Sequence, residues 1–427
     1  MTEHRTRAKE RRGALVVAPS PTVLRAGAVW VTIANWAEGI RDVLGRVAVA
    51  LPEGVLTPEQ VRSVASTLFS GPPTGDRVWD GSCAPRALPR QALSRRLAGV
   101  LPTWVKTAAK DLRAAAQAAG FARRPLPDLE FDPAFVWQHH DLFQVVGLRW
   151  ARLLGVPLVV FVDAPQVWEA ARWGVSRRGY AHLLERLAER PVLTHADLVL
   201  AVSPEVADVL ERLGVAGDRM AVAGCRADPR RFTPEIDGTE VREALGLQGR
   251  VVVGWVGSFR RFHAVDLLVE ALGQVTRHVG EVSLLAVGDG ATRYETEALA
   301  AELGVHAVFP GAVPHEEVPR YLAAMDLAVL PARSADEFHY SPLKLREYMA
   351  AGLPVVAAEV GETSRVMTDG VDGVLVEPGS VTALAAAVAK LCQDSGSRAE
   401  LGRAARRRAL EETVERDVRE VLGRLGL

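Results

Sequence analysis

The residues best suited to chemistry lie between Ser341 and Glu347, in the stretch SPLKLRE. Ser341 is a favourable N-cap residue and Pro342 suits the first helical position, so the pattern predicts a helix that begins here. A helix N-terminus offers unpaired N–H groups and a partial positive charge, which favour an anion. Lys344 adds a cation in the first turn, where it is unfavourable unless it faces an anion. Glu347 follows one turn later and points back towards the same end.

This order of charges suits a ligand in which a phosphate is followed by a ring with hydroxyl groups. Lys344 would meet the phosphate and Glu347 the hydroxyls. A core helix with a surface Lys–Glu pair at i, i+3 is the second interpretation, and the pattern alone leaves both open. Gly352 and Pro354 predict the end of the helix. The apolar run from Leu353 to Ala358 predicts a strand that is buried on both faces.

A second candidate phosphate site lies at Gly254 and Gly257, in the segment VVVGWVGSF. Three basic residues follow it, namely Arg260, Arg261 and His263. A glycine between a strand and a helix lets phosphate approach the backbone, although an ordinary turn with solvated arginines has the same pattern. The VGDG segment at 287–290 resembles half of a dinucleotide signature. Arg293 stands where its third glycine belongs, so no dinucleotide site is predicted.

His139, His140 and Asp141 end another predicted strand, and they suggest a metal site, a polar loop that contacts a ligand, or plain structure. Adjacent strand residues point to opposite faces, so two neighbouring histidines seldom share one ion. No Asp-x-Asp pair stands at a strand end. An enzyme acting on nucleotide sugars would therefore stabilise its leaving diphosphate with protein cations and N–H groups rather than Mg²⁺. We expect no bound metal ion and no cofactor.

Composition narrows the class of protein. The 427 residues, 48% of them hydrophobic, suggest two or three domains with large cores. The net charge of −1 does not indicate a nucleic-acid partner. The three cysteines lie far apart, as expected of reduced thiols in a cytoplasmic protein. Because no run of about 18 uninterrupted apolar residues occurs, no membrane span is expected.

The segment from Arg86 to Arg124 is strongly basic. It contains nine arginines and lysines and a single acid, Asp111, with apolar residues between them. Such a segment is typical of a solvated helix face in an arginine-rich chain. It is also typical of a helix that lies on an anionic membrane or meets a polyanionic acceptor. We therefore keep peripheral contact with the inner face of the membrane as a candidate.

Strands alternate with helices along both halves, which predicts an α/β fold of two doubly wound parallel-sheet domains. Predicted strands lie at 14–18, 47–51, 135–137, 157–162, 197–202, 251–256, 282–287, 307–309 and 327–330. Predicted helices include 142–154, 179–190 and one capped by Ser203. The polar, proline-broken segment 228–237 marks the boundary between the domains.

Together these residues resemble a retaining glycosyltransferase of the GT-B fold, in family 4. The resemblance rests on an ordered series of segments: Gly254, VGDG (287–290), FPGAVPHEEVPRYLAAMDLAVLP (309–331), SPLKLREYMAAGLPVVA (341–357) and DGVDGVLVEPGSVTAL (369–384). The first half resembles the family more loosely, through VSP (202–204), DPRRF (228–232) and the alternation of strands and helices. The family implies two Rossmann-like domains facing a cleft, with acceptor binding in 13–230, nucleotide-sugar binding in 231–405, and a C-terminal helix, 406–427, that crosses back to the first domain.

The resemblance also implies roles for particular residues. Glu347 would take the ribose hydroxyls, Ser341, Leu343 and Lys344 the diphosphate, and the backbone from Gly311 to Val313 the base. The candidate donor-binding residues are Gly257, Ser258, Arg261, His263, Gly311, Val313, Glu337, His339, Ser341, Leu343 and Glu347. The candidate catalytic residues are Asp163, His139, Lys344 and Arg260, and the candidate acceptor contacts are Gly27 and His140.

Several positions depart from the family pattern, among them Gly224 and Cys225, which stand in place of the usual Asn-Gly of the interdomain strand. His339 stands where a second carboxylate is usual, and Glu337 and Asp336 are the candidate substitutes. Ser258 and His263 replace the usual Arg and Lys of the diphosphate loop. Asp163 replaces a histidine of the catalytic pocket.

The function that this resemblance implies is transfer of a sugar from a nucleoside-diphosphate sugar to an acceptor hydroxyl, with retention and without a metal ion. The acceptor would be a sugar, a lipid-linked molecule or another small molecule. The departures motivate an alternative, a catalytically silent partner protein that binds the donor. A nucleotide-sugar epimerase is a weaker third hypothesis.

Overall fold

The computed structural model describes residues 12–20, 27–69, 102–335 and 341–427. These residues form two α/β units, each built on a largely or wholly parallel sheet, which confirms the predicted fold class. The first unit contains the described residues up to Val64, those between 102 and Gly224, and Asp417–Leu427. The second unit contains residues 65–69 and the described residues of Cys225–Arg416.

The described residues of the first unit form a seven-stranded sheet in the order β3-β2-β1-β4-β5-β6-β7. All neighbouring strands are parallel except β2 and β3. The strands are β1 (Arg12–Val17), β2 (Val47–Leu51), β3 (Gly54–Leu56), β4 (Asp132–His139), β5 (Leu158–Val162), β6 (Leu198–Ala201) and β7 (Met220–Val222). The helices are α1 (Gly27–Leu44), α2 (Pro58–Phe69), α3 (Thr103–Ala122), α4 (Val146–Leu154), α5 (Gln166–Arg172), α6 (Ala181–Leu184), α7 (Arg190–His195) and α8 (Pro204–Arg212). One π-helical turn, Glu185–Glu189, joins α6 to α7.

The described residues of the second unit form a six-stranded parallel sheet in the order β10-β9-β8-β11-β12-β13. Its strands are β8 (Val251–Val256), β9 (Val282–Val287), β10 (Ala307–Gly311), β11 (Leu327–Leu330), β12 (Val355–Ala358) and β13 (Val374–Val376). The helices from here to the C-terminus are α9 (Thr239–Ala244), α10 (Val265–Val275), α11 (Arg293–Glu302), α12 (Val318–Ala323), α13 (Leu343–Ala350), α14 (Gly361–Val366), α15 (Val381–Gln393), α16 (Ser395–Glu411) and α17 (Val414–Leu425).

The strands are apolar on both faces because helices cover both sides of each sheet. Every residue of β5, β11 and β12 is buried. In the first unit the rings of Trp36, Trp137 and Phe161 pack together, with centroids 5.6–5.8 Å apart. In the second unit the strand order reverses beside β8, between β9 and β11. Ligands of open α/β sheets bind at the carboxyl ends of strands at such a reversal, so the loop after β8 is the expected place for a site.

Two predicted helix starts differ from the structure. The prediction that Ser341 caps α13 is wrong: Pro342 occupies the N-cap position, and no side chain there caps the helix. The Ser341 hydroxyl instead accepts a hydrogen bond from the Cys225 N–H at 3.1 Å. Helix α4 begins at Val146, later than predicted, because Phe143 adopts a left-handed conformation with φ of 70°.

Other local predictions are confirmed. Ser203 caps α8 by accepting a hydrogen bond from the Val206 N–H at 3.2 Å. Gly352 has the positive φ, 73°, that was expected just after α13. None of the described helices has both the length and the apolar character needed to cross a bilayer.

Candidate active site

The loops after β8 and β9 pack against each other through their backbones. The Gly257 N–H donates to the Val287 carbonyl at 2.9 Å, and the Phe259 N–H donates to the Asp289 carbonyl at 3.0 Å. A Cβ atom at Gly288 would lie 1.8 Å from the Gly257 oxygen, so only glycine fits there. The glycines that resemble a dinucleotide signature therefore serve this contact between loops.

The Lys344 side chain extends from the first turn of α13 to the loop after β8. Its Nζ lies 4.6 Å from the centroid of the Trp255 ring, a cation–π distance. A Cβ atom at Gly257 would lie 2.4 Å from this Nζ, so the absence of a side chain at Gly257 makes room for the ammonium group. Nζ is buried, and within the described part of the chain it has no hydrogen-bond acceptor. An anion would supply the missing acceptor.

Burial is the main cause of the shifted pKa values of the basic groups around this loop. Burial lowers the pKa of Lys344 to about 7, with nearby Arg260 acting in the same direction and Glu347 opposing both. Burial, with Lys344 and Arg260, also lowers the pKa of His263 well below its usual value. The neutral His263 contacts the Ser258 carbonyl through Nδ1. Lys344 is therefore only partly charged near pH 7, and a bound anion would favour its charged form.

We expect that, above pH 7, the Lys344 amine takes up protons from the solvent when a diphosphate binds beside it. The free amine has a pKa of about 7 and loses its proton as the pH rises, while the anion favours the protonated amine. At about pH 8 the free site is roughly one-tenth protonated, so binding should take up about 0.9 proton. Calorimetry in buffers with different ionisation enthalpies measures this uptake. The Lys344→Met variant should lose it, and an unmodified protein that takes up none would contradict the assignment.

The Glu347 carboxylate is held by a histidine that our sequence analysis missed. The Nε2 of His315 lies 2.7 Å from Oε1 of Glu347, and both side chains are buried. His315 follows β10, and its ring packs against Phe232 with centroids 5.6 Å apart. This contact fixes the direction of the carboxylate. The sequence held a signal for it, because only Pro314 separates His315 from the Gly311–Val313 segment that had been assigned to the base.

Helix α13 is anchored by two further side chains that the sequence did not single out. The Tyr348 hydroxyl accepts a hydrogen bond from the Val256 N–H at 2.7 Å, which ties the helix to the end of β8. Arg346 is buried and pairs with Glu362 at 3.0 Å and with Glu412. These contacts hold α13 in place, so the positions of Lys344 and Glu347 are set by the core of the unit.

A separate polar cluster lies at the carboxyl ends of β4 and β5 in the first unit. The Nε2 of His139 lies 2.8 Å from Oδ2 of Asp163, whose side chain is 30% exposed. His140 is buried and pairs instead with Glu189, at 3.1 Å. The two histidines thus use different carboxylates, as their opposite directions on the strand suggested. Burial raises the pKa of Asp141, which follows them.

The remaining predicted residues fall in three places. Ser258, Arg260 and Arg261 lie in the loop after β8, and Gly311 ends β10, where its carbonyl accepts a hydrogen bond from the Gly288 N–H at 2.8 Å. Val313 follows in the next loop, and Leu343 begins α13. Gly27 begins α1 in the first unit. Glu337 and His339 lie outside the described residues, so the sugar end of the predicted site stays a prediction.

Comparisons with known proteins bear on the family of the chain. The family model for glycosyl transferases group 1 matches residues 250–394, and the model for glycosyltransferase family 4 matches residues 75–231. A 2-deoxystreptamine glucosyltransferase of Streptomyces kanamyceticus is 30% identical over 270 residues, which cover 60% of this chain and 68% of that protein. A GDP-mannose-dependent α-(1-6)-phosphatidylinositol monomannoside mannosyltransferase of Mycolicibacterium smegmatis is 32% identical over 190 residues. That alignment covers 43% of this chain and only half of the mannosyltransferase.

The fold also has solved counterparts. The crystal structure of Anabaena HepE with UDP-glucose superposes with a TM-score of 0.62 at 18% identity, covering 96% of this chain and 99% of HepE. Two α/β units, with a basic site at the strand ends of the second, define a protein of the GT-B fold. The chain belongs to the group 1 glycosyl transferases of glycosyltransferase family 4.

Proposed function

We propose that the protein transfers a sugar from a nucleoside-diphosphate sugar to the hydroxyl group of an acceptor. The observation that carries the proposal is the position of Lys344. Its buried Nζ lies at Gly257, at the start of α13, and has no acceptor among the described residues. Glu347 follows on the same helix with its carboxylate already oriented by His315. The relatives named above act on sugars, and HepE was solved with UDP-glucose, which supports a donor of this class.

In this proposal the residues divide the donor among them. Lys344, Arg260, Arg261 and the N–H groups at Gly257 and at the start of α13 meet the diphosphate. Glu347 takes the ribose hydroxyls, and the backbone from Gly311 to Val313 takes the base. Ser258 and the neutral His263 contribute shape and hydrogen bonds rather than charge. Ser341 acts indirectly, because its hydroxyl is already bonded to the Cys225 N–H.

We further propose that the reaction needs neither a metal ion nor a cofactor and retains the anomeric configuration. Loss of the diphosphate leaves an oxocarbenium-like sugar, and stabilising the leaving anion is the main task of the enzyme. Lys344, Arg260 and Arg261 offer three cations for that anion. The partly exposed carboxylate of Asp163, oriented by His139, is suited to stabilise positive charge at the anomeric carbon.

Replacing Asp163 by asparagine should lower turnover with little change in donor binding. The substitution keeps the shape and a hydrogen-bond acceptor for His139 but removes the charge. We expect a loss of about 10² in kcat, in the range for a single electrostatic contact in the transition state. Steady-state kinetics and the donor Kd provide the measurement. Asp197→Asn is the matched control, because Asp197 accepts a hydrogen bond from the Leu158 N–H at the other end of β5. Unchanged kinetics in Asp163→Asn would remove Asp163 from the mechanism.

The direct test is a transfer assay with UDP-glucose and GDP-mannose as donors, with sugar, lipid-linked and small-molecule acceptors, in the presence of EDTA. We expect a glycosylated product, and proton NMR of that product should show the anomeric configuration of the donor. An inverted product would contradict retention, and activity lost in EDTA would contradict metal independence. Donor binding without any transfer or hydrolysis would favour the silent partner protein that Ser258, His339 and Asp163 suggest. A changed donor sugar formed without acceptor would favour an epimerase.

We place this reaction in the cytoplasm. Cys225 and Cys392 are buried free thiols, which suits a reducing compartment. Cell fractionation tests this placement, and recovery of the protein outside the cell would contradict it.

A further inference from the structure

Strand β10 is irregular where it reaches the segment assigned to the base. Its register against β9 shifts between Val308 and Gly311, as in a β-bulge. Pro310, inside this stretch, has no N–H to donate. The Phe309 carbonyl accepts a hydrogen bond from Nη2 of Arg293 at 3.1 Å, so a side chain from α11 is tied to the end of β10. Bulges of this kind often redirect groups beside a functional site.

The guanidinium group of Arg293 borders the open side of Gly311. Gly311 has a φ of 88°, in the region that favours glycine. A Cβ atom on Gly311 would lie 3.7 Å from Nη1 of Arg293, and beyond its chain neighbours no other described heavy atom would lie within 4 Å. Cζ of Arg293 also lies 5.7 Å from the centroid of the Tyr294 ring. The space beside Gly311 is therefore bordered by a cation whose orientation is fixed.

Arg293 has more hydrogen-bond donors than the protein around it has acceptors. Among the described residues it donates one hydrogen bond, from Nη2, and its Nε is buried without an acceptor. Nη1 lies 3.9 Å from Oδ1 of Asp289, which is too long for a hydrogen bond. Because an unsatisfied buried donor is costly, a guanidinium group in this state favours a ligand that brings an acceptor.

The groups of the second unit follow the order of the parts of a nucleoside diphosphate. Lys344 lies against Gly257, just after β8. The contact of Glu347 with His315 joins α13 to the loop after β10. Arg293 lies at the end of β10 itself. Only β9 separates β8 from β10, so the ends of these two strands are about 10 Å apart. With the diphosphate at Lys344 and the ribose at Glu347, the base end falls to Arg293.

We infer that Arg293 and Asp289 select a nucleobase that carries a carbonyl group next to a ring N–H. Uracil and the 6-oxopurines, such as guanine, have this pattern. The inference rests on the proposed function and names the class of base in the donor. The Arg293 guanidinium group is always a hydrogen-bond donor, and the carboxylate beside it is an acceptor. A carbonyl next to an N–H offers each of them its complement.

Cytosine and adenine offer the reverse pattern. Each has an amino group where uracil or guanine has the carbonyl oxygen, and a ring nitrogen without hydrogen beside it. The amino group would face the guanidinium group of Arg293, and the bare nitrogen would face the carboxylate of Asp289. A site built on hydrogen bonds rejects such a ligand because its own polar groups are left unpaired.

Calorimetric titration of the unmodified protein with two matched pairs of nucleoside diphosphates tests this selection. Uridine and cytidine diphosphates form the pyrimidine pair, and inosine and adenosine diphosphates form the purine pair. In the pair that binds more tightly, we expect the oxo base to bind about 5- to 150-fold more tightly than the amino base. Equal affinities within that pair, or a preference for the amino base, would overturn the inference.

Replacing Arg293 by glutamine should bring the ratio of the two affinities close to one. A glutamine amide can turn to donate or to accept, so it meets either kind of base. Arg219→Gln is the matched control, because Arg219 of the first unit also donates to backbone carbonyl groups, at 3.1 and 3.3 Å. This control should keep the ratio. If Arg293 only held the loop in place, Arg293→Gln would weaken both members of the pair equally, and an unchanged ratio would overturn the inference.

Inorganic pyrophosphate separates this inference from the proposed function. It should bind Arg293→Gln as it binds the unmodified protein, and it should bind Lys344→Met more weakly. Nucleoside diphosphates that bind without any preference among bases would overturn the base selection and leave the proposed function standing. If neither pyrophosphate nor any of the four nucleotides binds, the proposed function fails, and the base selection fails with it.

Discussion

Replacing Lys344 by alanine should lower kcat/KM for the donor by about 10² to 10³, the usual loss when one group that stabilises a leaving anion is removed. The ammonium group is held over Trp255 and against Gly257, where a bound diphosphate would be its partner. Its charge is costly in the free protein, since burial lowers its pKa to about 7. The group therefore contributes to binding and catalysis at the expense of stability.

The same variant should fold as well as the unmodified protein or slightly better. Between pH 7 and pH 10.5, its usual pKa, the unfolded chain binds a proton at Lys344 that the folded chain does not. The contribution of Lys344 to the free energy of unfolding therefore rises as the pH rises through that window. Below pH 7 this contribution is at its least favourable. Lys390→Ala, at an exposed position on α15, is the matched control for kinetics and stability. A Lys344→Ala variant that turns over at the unmodified rate would remove the diphosphate assignment, and one that is strongly destabilised would make Lys344 a structural residue.

Replacing Glu347 by glutamine should weaken donor binding by about 30- to 1,000-fold, or about 2–4 kcal/mol, as expected when one member of a buried charged hydrogen bond is removed. Glutamine keeps an oxygen that can accept a hydrogen bond from His315, so the helix and the loop should stay in place. The loss should appear mainly in the donor Kd and KM, because the ribose lies away from the reacting bond.

A ribose contact has a more specific signature than a loss of affinity. The unmodified protein should bind a nucleoside diphosphate more tightly than its 2′-deoxy form, and Glu347→Gln should lose most of this discrimination. Glu302→Gln, an exposed glutamate at the end of α11, should behave as the unmodified protein does. Full discrimination retained in Glu347→Gln would place the ribose elsewhere.

The sequence predicted the fold well because its strands are short apolar runs between glycines, prolines and helical patterns. Strands β2, β8, β9 and β11 have the predicted bounds. It missed β3, β7 and β13, which are three residues long and only partly buried, so their patterns are too short to read. The antiparallel pairing of β3 with β2 was missed for the same reason.

The site was predicted in part. From glycines and charges at element ends the sequence offered the loop after β8 and the start of α13 as two separate candidates, and only the family resemblance joined them; in the structure the Lys344 side chain lies against Gly257. The contacts of His315, Trp255 and Tyr348 were not, because they join residues that lie far apart in the chain. For Ser341 the sequence predicted a contact that does not form. Its residue type is typical of a helix cap, but its hydroxyl accepts a hydrogen bond from the N–H of Cys225, which is distant in the chain.

The central claim is that the loop after β8 and helix α13 bind a nucleoside diphosphate. A thermal-shift series of the unmodified protein and of Lys344→Ala, with UDP, GDP and their sugar conjugates, tests it most directly. At a ligand concentration 100 times its Kd, one of these ligands should stabilise the unmodified protein by about 2.7 kcal/mol. The same concentration should shift Lys344→Ala far less. No shift with any of these ligands, or an equal shift in the variant, would contradict the claim.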